Sequence, residues 1–90
     1  MYKWERSDKL KKILGKLFKK DKVRYEATLK KIQEVVACND ANHYKNLSYD
    51  MKEFKRAHID IHFVLIFKVD EKNKTIKFED LQHHDYIYRR

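Results

Sequence analysis

Four of the chain's five histidines fall between Phe54 and Tyr88, in the stretch FKRAHIDIHFVLIFKVDEKNKTIKFEDLQHHDYIY. They are His58, His62, His83 and His84, with lysines and arginines close by in sequence. An imidazole, with an unperturbed pKa of about 6.5, accepts or donates a proton near neutrality. Histidines beside cations therefore form a kit for cleaving RNA. One group takes the proton from a ribose 2′-hydroxyl and another protonates the leaving 5′-oxygen. A cation stabilises the extra charge on the pentacoordinate phosphate. No step in this scheme requires a metal. His84 and Tyr88 are four apart, which places them on one side of the chain whether it is extended or helical. Tyr86 or Tyr88 suits stacking on a base or a part in proton transfer. The same residues allow plainer readings. Histidine and tyrosine at a domain's edge are often just exposed polar groups, and His83 and His84 with His58 or His62 could bind zinc, although no CxxC or HxxxH pattern accompanies them.

These side chains need a rigid carrier. The most apolar run, His62 to Val69, is nearly continuous rather than alternating, as in a buried central strand. Phe63, Leu65, Phe67 and Val69 share one face, and Val64 and Ile66 the other. Phe54 to Ile59 and Thr75 to Asp80 are the strands before and after it, the second joined through the polar connection Asp70 to Lys74. Strands with such short loops pair antiparallel. In the first of them Phe54, Arg56 and His58 lie on one face.

Upstream, Tyr2 to Arg6 alternates like a short strand. Ser7 is a helix N-cap, followed by Asp8 in the first turn and by Leu10, Ile13, Leu14, Leu17 and Phe18 at helical spacing. Asp21 caps a second helix with the stripe Tyr25, Leu29, Ile32, Val35 and Val36, ending near Cys38. The link is so short that the helices pack as an antiparallel hairpin. Their stripes must be buried against one face of the sheet. Residues 39 to 53 form a loop. The expected fold is α+β: an N-terminal strand, a helical hairpin, and three C-terminal strands in a mainly antiparallel sheet.

Ninety residues make one domain with one modest core. No run is long and apolar enough to cross a bilayer, and MYKWERSDK lacks the apolar centre of a signal peptide. The single cysteine excludes an internal disulfide, consistent with a reducing compartment. A net charge of +8 points to a polyanionic partner, either nucleic acid or an acidic protein.

The order strand, helical hairpin, three strands is similar to the RelE superfamily of toxins from toxin–antitoxin pairs, above all to its YafQ-like branch. Two runs carry the resemblance. AHIDIHFVLIFKVD, Ala57 to Asp70, resembles that branch's central hairpin, and FEDLQHHDYIY, Phe78 to Tyr88, its last strand. The resemblance implies a cytoplasmic, metal-independent endoribonuclease that cuts messenger RNA on the ribosome and needs no cofactor. It also implies inhibition by an acidic, RelB-like antitoxin in a toxin–antitoxin hetero-oligomer, without membrane involvement. By position, His58 matches the histidine ending the second strand, His84 that of the last strand, and Tyr88 the terminal aromatic. Phe63 stands where the branch has tryptophan, and His62 where it has aspartate. Asp80 and Val64 stand at positions where relatives carry arginine, and Lys45 stands at a loop histidine's place with His43 nearby. Phosphate contacts then fall to Lys45, Lys52, Lys55, Arg56 and His83. Two further functions fit the same fold: ParE-like toxins bind DNA gyrase without catalysis, and an inactive, basic RNA-binding module would need none of the histidines.

Overall fold

The structure, a computed structural model, describes residues 2–46 and 53–84. Lys52, Tyr86, Tyr88, Arg89 and Arg90 lie outside the described residues. The elements follow the expected order. They are β1 (Lys3–Arg6), α1 (Asp8–Lys20), α2 (Lys22–Ala37), a short 3₁₀ turn (Ala41–His43), β2 (Lys55–His58), β3 (Phe63–Asp70) and β4 (Thr75–His83). The sheet order is β1-β4-β3-β2. The two pairings within β2, β3 and β4 are antiparallel, while β1 runs parallel to β4 after the chain has crossed through the helices, so the sheet is mixed. Among the described residues no helix is long and apolar enough to cross a membrane.

Each helix begins where the local chemistry directs it. The Ser7 hydroxyl accepts from the Leu10 N–H at 3.0 Å, and Asp8 meets the positive end of the helix dipole. Lys19 and Lys20 sit at the negative end. Asp21 serves both helices. Its N–H donates to the Leu17 carbonyl to close α1, and its carboxylate accepts from the Arg24 N–H at 3.1 Å to open α2. One residue thus turns the chain, which fixes the hairpin geometry.

The core lies between the helices and one sheet face. Leu10, Leu14, Ile32, Val35 and Val36 pack toward Leu65, Phe67, Ile76, Phe78 and Leu81. Phe67 and Phe78 are the largest of the fully buried side chains among the described residues. Removing either ring should cost about 3–5 kcal/mol. Thr28 is also fully buried; its hydroxyl donates to the Arg24 carbonyl at 2.8 Å, so its polarity is satisfied within its own helix. Phe18 departs from the expected stripe. It stands at the stripe's margin in the last turn of α1, remains 51% exposed, and meets the edge of Tyr25 at 5.2 Å rather than the sheet.

β4 runs past Asp80, where the sequence reading ends it, to His83. The reason is a bulge. Ile66 faces Asp80 and Phe67 faces Phe78, leaving Glu79 without an opposing residue. An unbroken alternation from Phe78 would turn Asp80 inward and Leu81 outward. The extra residue reverses the phase, so Leu81 joins the core and the strand continues pairing.

Candidate active site

The same bulge decides where the C-terminal histidines point. Phe63 pairs with His83 and Leu65 with Leu81 on the helix side. Val64 pairs with Gln82 on the other side, and His84, the first residue beyond β4, brings its ring to the His58 side. His58 pairs with Val64 from β2, so it occupies that side as well. The two rings meet across the end of β3, with centroids 5.6 Å apart and planes inclined at 40°. A backbone bond from the His84 N–H to the His62 carbonyl, at 2.6 Å, holds the end of β4 in place.

The loop between β2 and β3 is built from below. Asp60 accepts from the N–H groups of His62 at 2.7 Å and Phe63 at 2.8 Å, tightening the turn that separates the strands. Arg24 of α2 reaches this turn. It donates to Asp60 at 3.4 Å and to Asp21 at 2.6 Å, and its guanidinium lies 4.1 Å from the centre of the Phe63 ring. Burial pushes the Asp60 carboxyl up, but the two N–H donors and Arg24 outweigh it and hold the group below its ordinary range. Arg24 thus ties the start of α2 to the turn on which His58 and His62 are hung.

His58 is held below the ordinary histidine value. Partial desolvation is the largest cause, followed by the neighbouring His84, then Arg56 and Lys31. It is therefore neutral at pH 7, as a proton acceptor must be. Arg56 lies two positions earlier on the same strand face, where its charge is felt by His58. Val64 and Ile66, both buried, form the apolar floor of this face.

The other expected residues are distributed as follows. His62 is exposed and stacks with His83 at 5.8 Å, while His83 meets Phe63 edge-on at 5.2 Å. These rings form a second pair, separate from His58 and His84. The Lys55 side chain is directed away from His58. Its ammonium donates to the Asn42 and Tyr44 carbonyls at 3.4 and 3.2 Å and to the Asn46 side chain at 3.2 Å, which pins the loop to the edge of β2. Lys45 is exposed, and its carbonyl accepts from the Arg56 N–H at 3.0 Å, which places it beside Arg56 at the sheet's edge. His43 turns into its own loop, against the Asp40 carbonyl at 2.6 Å and the Tyr44 ring at 4.2 Å. Asp80 is buried and paired with Lys9 of α1 at 2.9 Å; it also accepts from Gln82 and from the Leu81 N–H. Among the described residues no three histidine, cysteine or acidic side chains come together to hold a metal ion.

Sequence reasoning missed Arg24, Asp60 and the bulge. Asp60 carried a signal, since an aspartate between two strands is a turn former. Arg24 carried none, because its partner lies 36 residues away.

The chain can now be set beside known proteins. No family model matches it. A protein of Methanocaldococcus jannaschii described as "Putative toxin RelE4" is 50% identical over 90 residues, covering 100% of this chain and 94% of its own length. An uncharacterised protein of Methanosarcina mazei is 45% identical over 73 residues, 81% of this chain and 83% of its own. The crystal structure of YafQ from E. coli strain BL21(DE3) superimposes with a TM-score of 0.63 at 19% identity, covering 98% of this chain and 99% of that one, a likeness of fold. The full-length identity to a RelE toxin, on a backbone that YafQ shares, establishes that this chain belongs to the RelE family of toxins from toxin–antitoxin systems.

Proposed function

We propose that this toxin acts as a single domain in the cytoplasm, cutting messenger RNA on the ribosome and so stopping translation. The observation that carries the reading is the His58–His84 pair, 5.6 Å between ring centres, with Arg56 on the same face. Neutral His58 accepts the proton of a ribose 2′-hydroxyl, and that oxygen attacks the adjacent phosphorus. The bond to the 5′-oxygen breaks, and His84 delivers a proton to the departing oxygen. Arg56 stabilises the charge that builds on the phosphoryl oxygens. Tyr88, Lys45 and Lys52 are further candidates for holding the strand. His62 and His83, a second stacked pair at the same end of the sheet, are suited to a base or phosphate.

Asp80 puts an anion where the resemblance implies an arginine, and its carboxylate is paired with Lys9. That shifts the work to Arg56 and makes Arg56→Ala a sharper test here than in a site with several arginines. A RelB-like, acidic antitoxin is the proposed inhibitor, bound in a hetero-oligomer. Message cut by the purified chain on translating ribosomes should end in a 2′,3′-cyclic phosphate and a 5′-hydroxyl, with or without EDTA at levels that leave the ribosomes intact. Products ending in a 3′-hydroxyl, or no cutting while DNA gyrase is inhibited instead, would overturn this reading.

A further inference from the structure

The chain's only glycine sits where neither packing nor backbone geometry calls for one. Gly15 lies mid-way along α1 on the solvent side. Its φ is not positive, and a Cβ placed there would meet no atom within 4 Å. A glycine inside a helix is destabilising relative to alanine, so bare backbone here has a cost and no structural return. Helix geometry surrounds it with the residues three and four positions away, namely Lys11, Lys12, Phe18 and Lys19. The three lysines are exposed, and no carboxylate among the described residues pairs with them. Phe18 is 51% exposed and carries the Lys22 ammonium 4.8 Å from its ring centre. α1 has six lysines against one acid, Asp8, at its start.

We propose that this surface of α1 binds a single strand of RNA, separately from the histidine pair on the opposite side of the sheet. A missing side chain leaves open room for a phosphate among the surrounding lysines, which supply unneutralised point charges. The half-exposed aromatic at the margin offers a stacking surface of the kind that holds unpaired bases. An acidic protein segment fits less well, because protein interfaces centre on an apolar anchor and the centre here is Gly15. The phosphate contact is independent of the cleavage reading; only the choice of RNA over DNA rests on it.

The test is fluorescence anisotropy of the full chain with a labelled single-stranded RNA, across roughly 50 to 200 mM salt. Replacing Lys11, Lys12 and Lys19 together by Gln should reduce the slope of log affinity against log salt by about 2, at about 0.7 per phosphate contact on a single strand. Gly15→Gln fills the gap with a neutral, helix-favouring side chain. It should raise the melting temperature yet weaken RNA binding about fivefold or more. A purely structural glycine would give the first effect without the second. An unchanged slope in the triple variant overturns the proposal, and so does wild-type affinity in Gly15→Gln. Equal binding of DNA of the same sequence, or tighter binding of an acidic peptide at this surface, overturns it too. No ribosome or cutting enters the assay, so failure of the cleavage reading would leave these affinities unchanged.

Discussion

His58 and His84 are two like groups brought close together, and the neighbouring His84 makes His58 harder to charge. Followed by NMR, the His58 imidazole should titrate below the ordinary histidine value, and His84→Gln should move it upward. An unchanged titration would show that His84 does not influence it. The native His58 binds fewer protons than the unfolded one at pH values between its lowered value and the ordinary one. Stability should therefore fall as pH drops through that interval, and His58→Gln should remove that part of the slope. Asp80 makes a different kind of statement. A carboxylate of 9% side-chain exposure accepts from a lysine of 65%, so the pair is anchored at its acidic end. Lys9→Met should cost about 1–2 kcal/mol in urea unfolding, because solvent around the exposed lysine reduces the roughly 1.5–3 kcal/mol of a hydrogen bond to a charged group. Asp80→Arg should cost more, because it sets two cations together, and Lys9→Glu in the same chain should recover part of the loss. A double-mutant cycle with no coupling would show that the ion pair contributes nothing.

At the level of elements, the helices and the strand order were legible because their signals are local. Ser7 and Asp21 cap where capping residues should, and Leu10, Leu14, Ile32 and Val36 recur at helical spacing. The bulge at Glu79 was not legible, because register belongs to a pair of strands and β4 alone reads as ending at Asp80. The resemblance named His58 and His84 by position, while the register that brings their rings 5.6 Å apart belongs to the fold. The His84–Tyr88 pairing drawn from spacing falls partly outside the described residues. Phe18 misled because periodicity marks a face, not how far the opposing sheet extends. Gly15 permits a clean test at this scale. With open space at its Cβ position, Gly15→Ala should stabilise the protein by about 1 kcal/mol in urea unfolding. A loss of stability would mean that the helix needs glycine there.

For the molecule as a whole, +8 net charge predicts how partners arrive. Association with an acidic antitoxin should slow as salt rises, because screening shortens the reach of the field. Stopped-flow mixing that gives one rate at all ionic strengths would remove the electrostatic part of that expectation. The helix layer, the Arg24 clamp and the β4 bulge together support one arrangement: a neutral His58 facing His84, with Arg56 alongside. Its central claim is that this pair cuts message, and the most direct measurement is the single-turnover cleavage rate of ribosome-bound message. Wild type should be compared with His58→Ala and His84→Ala, each first shown to be folded and able to bind antitoxin. Loss of a proton-transfer group should slow cutting by about 10² to 10⁴ in each variant. Cutting at the wild-type rate by both would contradict the account.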